Sequence, residues 1–148
     1  MNRFLMLVAL GAVALSGAIS CEQDVKSAPS SVETAFQAKY PGASMVEWEK
    51  QLGNYLVEFF FGSHEMEAQF DKDGNWLWSK TEISLSEVPE KVLEVARNYN
   101  DGKWAIDDID YYQRSSGVTE YYRVEYEREN SDRERVLYVQ PDGVTFKL

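Results

Sequence analysis

The block Tyr55-Leu56-Val57-Glu58-Phe59 returns as Tyr122-Arg123-Val124-Glu125-Tyr126, and no other feature of the chain constrains its fold as strongly. A recurring segment marks one supersecondary unit used twice, each copy burying the same positions. Asp73-Gly74 follows the first copy and Asp142-Gly143 the second, supplying the positive-φ positions of tight hairpins. Upstream of each block an apolar stripe at helical spacing ends in a tyrosine. The stripes are Val32, Ala35, Phe36 and Tyr40 in one copy and Val88, Val92, Val95, Ala96 and Tyr99 in the other. Ser30 with Glu33 has capping-box spacing, and Pro41-Gly42 stops the first helix. Pro89 falls in a first helical turn, where a missing N–H leaves no partner unmet.

The strands follow by alternation. Val46 and Trp48 alternate with Glu47 and Glu49; Tyr55, Val57 and Phe59 with Leu56 and Glu58; Met66, Ala68 and Phe70 with Glu65, Glu67 and Gln69. Period-2 patterning of this kind marks antiparallel strands with one wetter face. The expected fold is α+β, a tandem repeat of one helix packed on a four-stranded antiparallel sheet, with units at residues 30–83 and 84–148. Units of roughly 50 to 65 residues hold marginal cores, so they are expected to join edge to edge or face to face.

Residues 1–20 read as a signal peptide, with Arg3 before the apolar run from Phe4 to Leu15 and small residues from Ser16 to Ser20. The run is short for a membrane span. Ala18-Ile19-Ser20-Cys21 resembles a bacterial lipoprotein signal, which makes Cys21 the expected lipidation site and implies export to the periplasm or outer membrane. Ordinary cleavage after Ser20 and an uncleaved anchor are the alternatives. Residues 21–29 lack periodicity and read as a tether.

Ala35-Phe36-Gln37-Ala38-Lys39-Tyr40-Pro41-Gly42-Ala43, Val46-Glu47-Trp48-Glu49, Tyr55-Leu56-Val57-Glu58-Phe59 and Phe70-Asp71-Lys72-Asp73-Gly74-Asn75-Trp76 occur in that order. Together they resemble the PepSY-like domains of secreted Bacteroidetes proteins, over residues 30–83. In 84–148, Asn100-Asp101-Gly102 follows Tyr99 in place of Pro-Gly-Ala, and that half rests on the internal repeat. The resemblance implies a fold similar to the beta-lactamase inhibitor protein. It implies no activity, because function resides in sites rather than folds.

The chain has 25 Asp plus Glu against 15 Lys plus Arg, a net charge of -10, and such acidity repels phosphate backbones. One Cys and one His provide neither a disulfide framework nor a Cys/His zinc site, and the expectation is no enzyme, no metal and no cofactor. Asp71-Lys72-Asp73-Gly74-Asn75 misses the ligand spacing of a calcium loop and reads as a hairpin turn. Asp107, Asp108 and Asp110 read as a solvated acidic face, and His64 as a surface turn residue. Glu65 and Glu67 share a strand face, but nothing in the sequence builds a pocket around them.

The aromatic residues are in surplus. Phe60, Trp76, Trp78, Tyr112 and Tyr121 exceed what one helix per sheet can cover, and alternation places Trp76 and Trp78 on one face. They are the candidate binding residues for a protein partner, unless they form an inter-unit core. The resulting expectation is a non-enzymatic cell-envelope protein, lipid-anchored, that binds another protein through an aromatic sheet face. A structural periplasmic scaffold without a defined ligand and a glycan-binding module are the alternatives.

Overall fold

Nine antiparallel strands of the described residues hydrogen-bond in chain order into one sheet. They are β1 (Glu22–Val25), β2 (Ser44–Gln51), β3 (Asn54–Phe61), β4 (His64–Phe70), β5 (Trp76–Glu82), β6 (Ala105–Arg114), β7 (Glu120–Arg128), β8 (Ser131–Val139) and β9 (Thr145–Phe146). Helix α1 (Ser30–Lys39) follows β1, and α2 (Glu90–Tyr99) lies between β5 and β6 after a 3-10 turn at Leu85–Glu87. The structure, a computed structural model, describes residues 22–99 and 102–148. The expected signal peptide and Cys21 lie outside the described residues.

The single sheet corrects the expected tandem repeat of one helix on a four-stranded sheet. Strand β5, expected as the last strand of a self-contained unit, pairs with β6 from Trp78↔Arg114 to Glu82↔Asp110 and is therefore interior. The physical reason lies in the backbone: an edge strand leaves a row of N–H and C=O groups without partners, and joining two edges satisfies both rows. Four residues read as tether also belong to the sheet, because Glu22–Val25 pairs with Trp48–Gln51.

The register puts both helices on one face. Under α1 the core gathers Phe36 and Tyr40 with Val57, Phe59, Ala68 and Phe70; under α2 it gathers Val92 and Ala96 with Ile109, Val124, Tyr126 and Val139. Val57 and Val124, the central residues of the recurring block, are both 0% exposed. The Phe36 ring meets Phe59 edge-on at 4.9 Å, and the Tyr126 hydroxyl donates to the Ala96 carbonyl at 2.8 Å. Each such buried side chain contributes about 1.5–3 kcal/mol.

Helix α1 begins differently from the expectation. Pro29 is its N-cap, with the carbonyl accepting from Val32 and Glu33, so Ser30 lies inside the helix and no side chain caps it. A capping box does form at the 3-10 turn, between Ser84 and Glu87. Gly74 sits at φ 90° where an added Cβ would lie 2.8 Å from the Ser31 carbonyl oxygen, so the Asp-Gly hairpin packs directly against the first turn of α1.

Candidate functional site

Strand alternation sends every second side chain away from the helices, and the register aligns these into rows across the sheet. One row runs Glu47, Glu58, Glu67, Lys80, Tyr112, Tyr121 from β2 to β7. A second runs Glu82, Asp110, Arg123, Tyr138, Phe146 from β5 to β9. Beside them stand Leu56, Gln69, Trp78 and Arg114. The helix-free face is thus acidic on the β2–β4 side and aromatic on the β6–β9 side.

The rings on this face form a connected ladder. Trp78 lies 6.1 Å from Tyr112; Tyr112 stacks on Tyr121 at 5.0 Å with 4° between planes; Tyr121 then meets Phe146 edge-on at 5.3 Å and Tyr138 at 5.9 Å. The Trp78 indole N–H donates to Gln69 Oε1 at 3.0 Å, fixing the ring's orientation. Beyond the ladder a groove of about 490 Å³ is lined by Tyr99, Val136, Tyr138, Phe146 and Leu148 among others.

Charges are ordered between the two halves. Lys80 pairs with Glu67, and Arg123 with Glu125 at 2.6 Å and more loosely with Asp110 at 3.7 Å. Burial opposes the Lys80 ammonium, yet the hydrogen bond and charge of Glu67 raise its pKa. Burial pushes the Asp110 carboxyl up to about 6, against the attraction of Lys80. Burial also raises Glu58, and the neighbouring carboxylates Glu67 and Glu47 add to the effect. The Tyr112 hydroxyl is pushed up to about 12, by burial first and then by Asp110.

Of the expected binding residues, the register places Phe60, Trp78, Tyr112 and Tyr121 on the helix-free face. Trp78, Tyr112 and Tyr121 are in the ladder. Phe60 stands apart, opposite Glu65 on β4. Trp76 is not on this face: it packs in the α1 core, with the Lys39 ammonium 3.9 Å from its ring centroid. The expected shared face of Trp76 and Trp78 is corrected by a bulge. Phe70 opposes Trp76 and Gln69 opposes Trp78, so Leu77 is an extra residue that reverses the alternation. Tyr138 and Phe146 were not among the candidates. The signal for Tyr138 is its place in the alternation Val136, Tyr138; nothing local marks the two-residue strand that carries Phe146.

The remaining constellations resolve structurally. The Asp71 carboxylate accepts from the Asp73 and Asn75 backbone N–H groups and from the Asn75 side chain, closing a turn. His64 Nε2 lies 2.6 Å from Glu87 Oε1, tying β4 to the 3-10 turn. Asp110 departs from the expected solvated acidic face, being 4% exposed. Among the described residues no group of three or more His, Cys, Asp or Glu is placed to hold a metal ion. No helix among them is long and apolar enough to cross a membrane.

The family model described as "Putative beta-lactamase-inhibitor-like, PepSY-like" matches residues 53–143, well over half of the chain. The match extends through β6 and β7, where the sequence departs from the motif order found in 30–83. A crystal structure of a DUF2874 family protein from Bacteroides ovatus ATCC 8483 superposes with a TM-score of 0.76 at 21% identity, covering 83% of this chain and 87% of that one. A BLIP-like protein from Bacteroides fragilis NCTC 9343 gives 0.73 at 23%, covering 82% and 84%. A structure from Bacteroides eggerthii DSM 20697, described among "putative periplasmic proteins", gives 0.74 at 20%, covering 82% and 87%. No curated protein matches the sequence.

Proposed function

The chain belongs to the PepSY-like family, and from that premise we propose that it is a non-enzymatic cell-envelope protein that binds another protein through the helix-free face of its sheet. The observation that carries this reading is the ring ladder Trp78, Tyr112, Tyr121, Tyr138 and Phe146, which neither helix covers. Trp78, Tyr112, Tyr138 and Phe146 are half-buried, whereas Tyr121, 4% exposed, is the buried centre on which they pack and does not itself offer a contact surface. Half-exposed, rigid rings give large contact area at small entropic loss, and such rings dominate binding energies at protein interfaces. The description of the Bacteroides eggerthii neighbour as periplasmic supports an envelope location. The lipoprotein-like Ala18-Ile19-Ser20-Cys21 supports attachment through a lipid on Cys21.

Chemical crosslinking in the native envelope, followed by recovery of the tagged protein, tests the reading. Wild type is expected to recover a discrete partner, and Trp78→Ala/Tyr112→Ala to lose it while still melting cooperatively. Recovery unchanged in a folded double variant contradicts the binding role. The scaffold reading would then stand in its place.

A further inference from the structure

We infer that the open edge of β8 takes up an extended segment of another protein as an added strand, one that carries an apolar side chain followed by carboxylates at alternate positions. This site goes beyond the ring ladder and adjoins it, sharing Tyr138 and Phe146.

The edge exists because β9 is short. Strand β8 runs for 9 residues, Ser131–Val139, but β9 pairs only with Tyr138 and Val139. Lys147 and Leu148 continue outside the ladder. Backbone direction identifies the groups left over. The Gln140 N–H donates to the Val144 carbonyl at 2.8 Å, so Gln140 faces β9. The N–H and C=O of one residue point the same way and alternate along a strand, so Tyr138, Val136 and Glu134 face outward as Gln140 does. Among the described residues no strand lies beyond Val136 and Glu134 to meet them. Such a row is a template for a further strand. Next to it lies the groove of about 490 Å³, walled by Leu137, Tyr138 and Phe146 and by Tyr99 and Leu148, which are 48% and 65% exposed. An apolar groove at one end of an open edge seats a side chain of the added strand and sets its register.

Charge selects the occupant. Arg133 and Arg135 alternate with Glu134 along the open stretch, and all three are exposed. The Arg135 guanidinium lies 4.3 Å from the centroid of the Trp104 ring, which places it on the helix side of the sheet. A second copy adding its own β8 antiparallel is related by a two-fold axis through the sheet. Such an axis pairs odd-numbered residues with odd and even with even, so in registers centred on this stretch the arginines meet themselves or each other. Like charges directly opposite are destabilising, and the edge thereby rejects its own copy. A foreign segment is free of that restriction. Carboxylates opposite Arg133 and Arg135, with a basic residue opposite Glu134, turn each of these repulsions into an attraction.

Fluorescence anisotropy on the intact protein tests the inference with two labelled peptides, Thr-Phe-Glu-Lys-Glu-Thr and its charge-reversed form Thr-Phe-Lys-Glu-Lys-Thr. Set antiparallel with Phe opposite Val136, the first places its carboxylates opposite Arg135 and Arg133. Wild type should bind it about tenfold more tightly than the second. The chain's net charge of -10 favours the second peptide, so this preference reports pairing at the edge. Arg133→Glu/Arg135→Glu should reverse the order, a result that a damaged fold cannot give. In the same register the Phe and Lys N–H groups of the first peptide face β8 and those of its Glu residues face away. N-methylation of Phe and Lys should abolish binding, and N-methylation of the two Glu residues should change it less than about threefold. No binding by wild type, no preference between the peptides, or equal loss from the two methylation patterns overturns the inference. So does a dimer in sedimentation that Arg133→Glu/Arg135→Glu dissociates, which would assign the edge to a second copy.

Discussion

Trp76 and Trp78 stand two residues apart on one strand and face opposite sides of the sheet, because Leu77 is a bulge between their partners Phe70 and Gln69. One indole closes the core under α1 and the other opens the ladder on the helix-free face.

Their single alanine variants should therefore part company. Trp76→Ala is expected to lose about 2–3 kcal/mol, because its half-buried ring packs beside Phe70 against the α1 core. Trp78→Ala should lose about half of that or less: both indoles are half-buried, but Trp78 packs on the ring ladder of the uncovered face rather than beneath a helix. Urea denaturation of the two variants checks this, and equal losses would mean that the bulge does not form.

The buried carboxyl of Asp110 gives stability a pH dependence whose sign is fixed. Its pKa is about 6 in the fold, raised chiefly by burial, against an ordinary 3.8, so the native state holds the proton where the unfolded chain releases it. This contribution to stability is present below pH 4 and is lost as pH rises from about 4 to 6. Asp110→Asn should flatten that slope and gain roughly 1–2 kcal/mol at pH 7.5. Identical pH profiles for variant and wild type would refute the assignment.

Gly74 and Gly53 share a left-handed backbone, φ 90° and 86°, but only Gly74 has a neighbour that a Cβ would strike. Gly74→Ala is expected to lose about 2–3 kcal/mol and Gly53→Ala about 1 kcal/mol. Matched denaturant titrations measure the difference. Similar losses would show that the hairpin can move off the Ser31 carbonyl.

Val57 and Val124 are fully buried at the centres of the two cores. Val57→Asp and Val124→Asp should each lose several kcal/mol, since a carboxylate there has no partner. A cooperative melt unchanged in either variant would contradict the strand register.

The legible parts of this fold were those written in side chains. The alternation of Tyr55, Val57 and Phe59 and the stripe of Val32, Phe36 and Tyr40 could be read directly, and so could the turns at Asp73-Gly74 and Asp142-Gly143. What the sequence did not disclose depends on backbone groups that every residue carries alike. The β5–β6 pairing is made by N–H and C=O groups, and β1 is a strand only because β2 offers it an edge. The Leu77 bulge likewise shows no residue-level signature, which is why Trp76 was expected beside Trp78. Asp110 lacked a local signal for a related reason: its burial comes from strands on either side of β6.

Site-specific photocrosslinking in living cells tests the central claim most directly. A photoreactive residue at Glu58, on the helix-free face, should yield a discrete adduct with a partner protein, while the same residue at Glu94 on α2 should yield none. An adduct from Glu94 alone, or the absence of any from Glu58, would contradict the account.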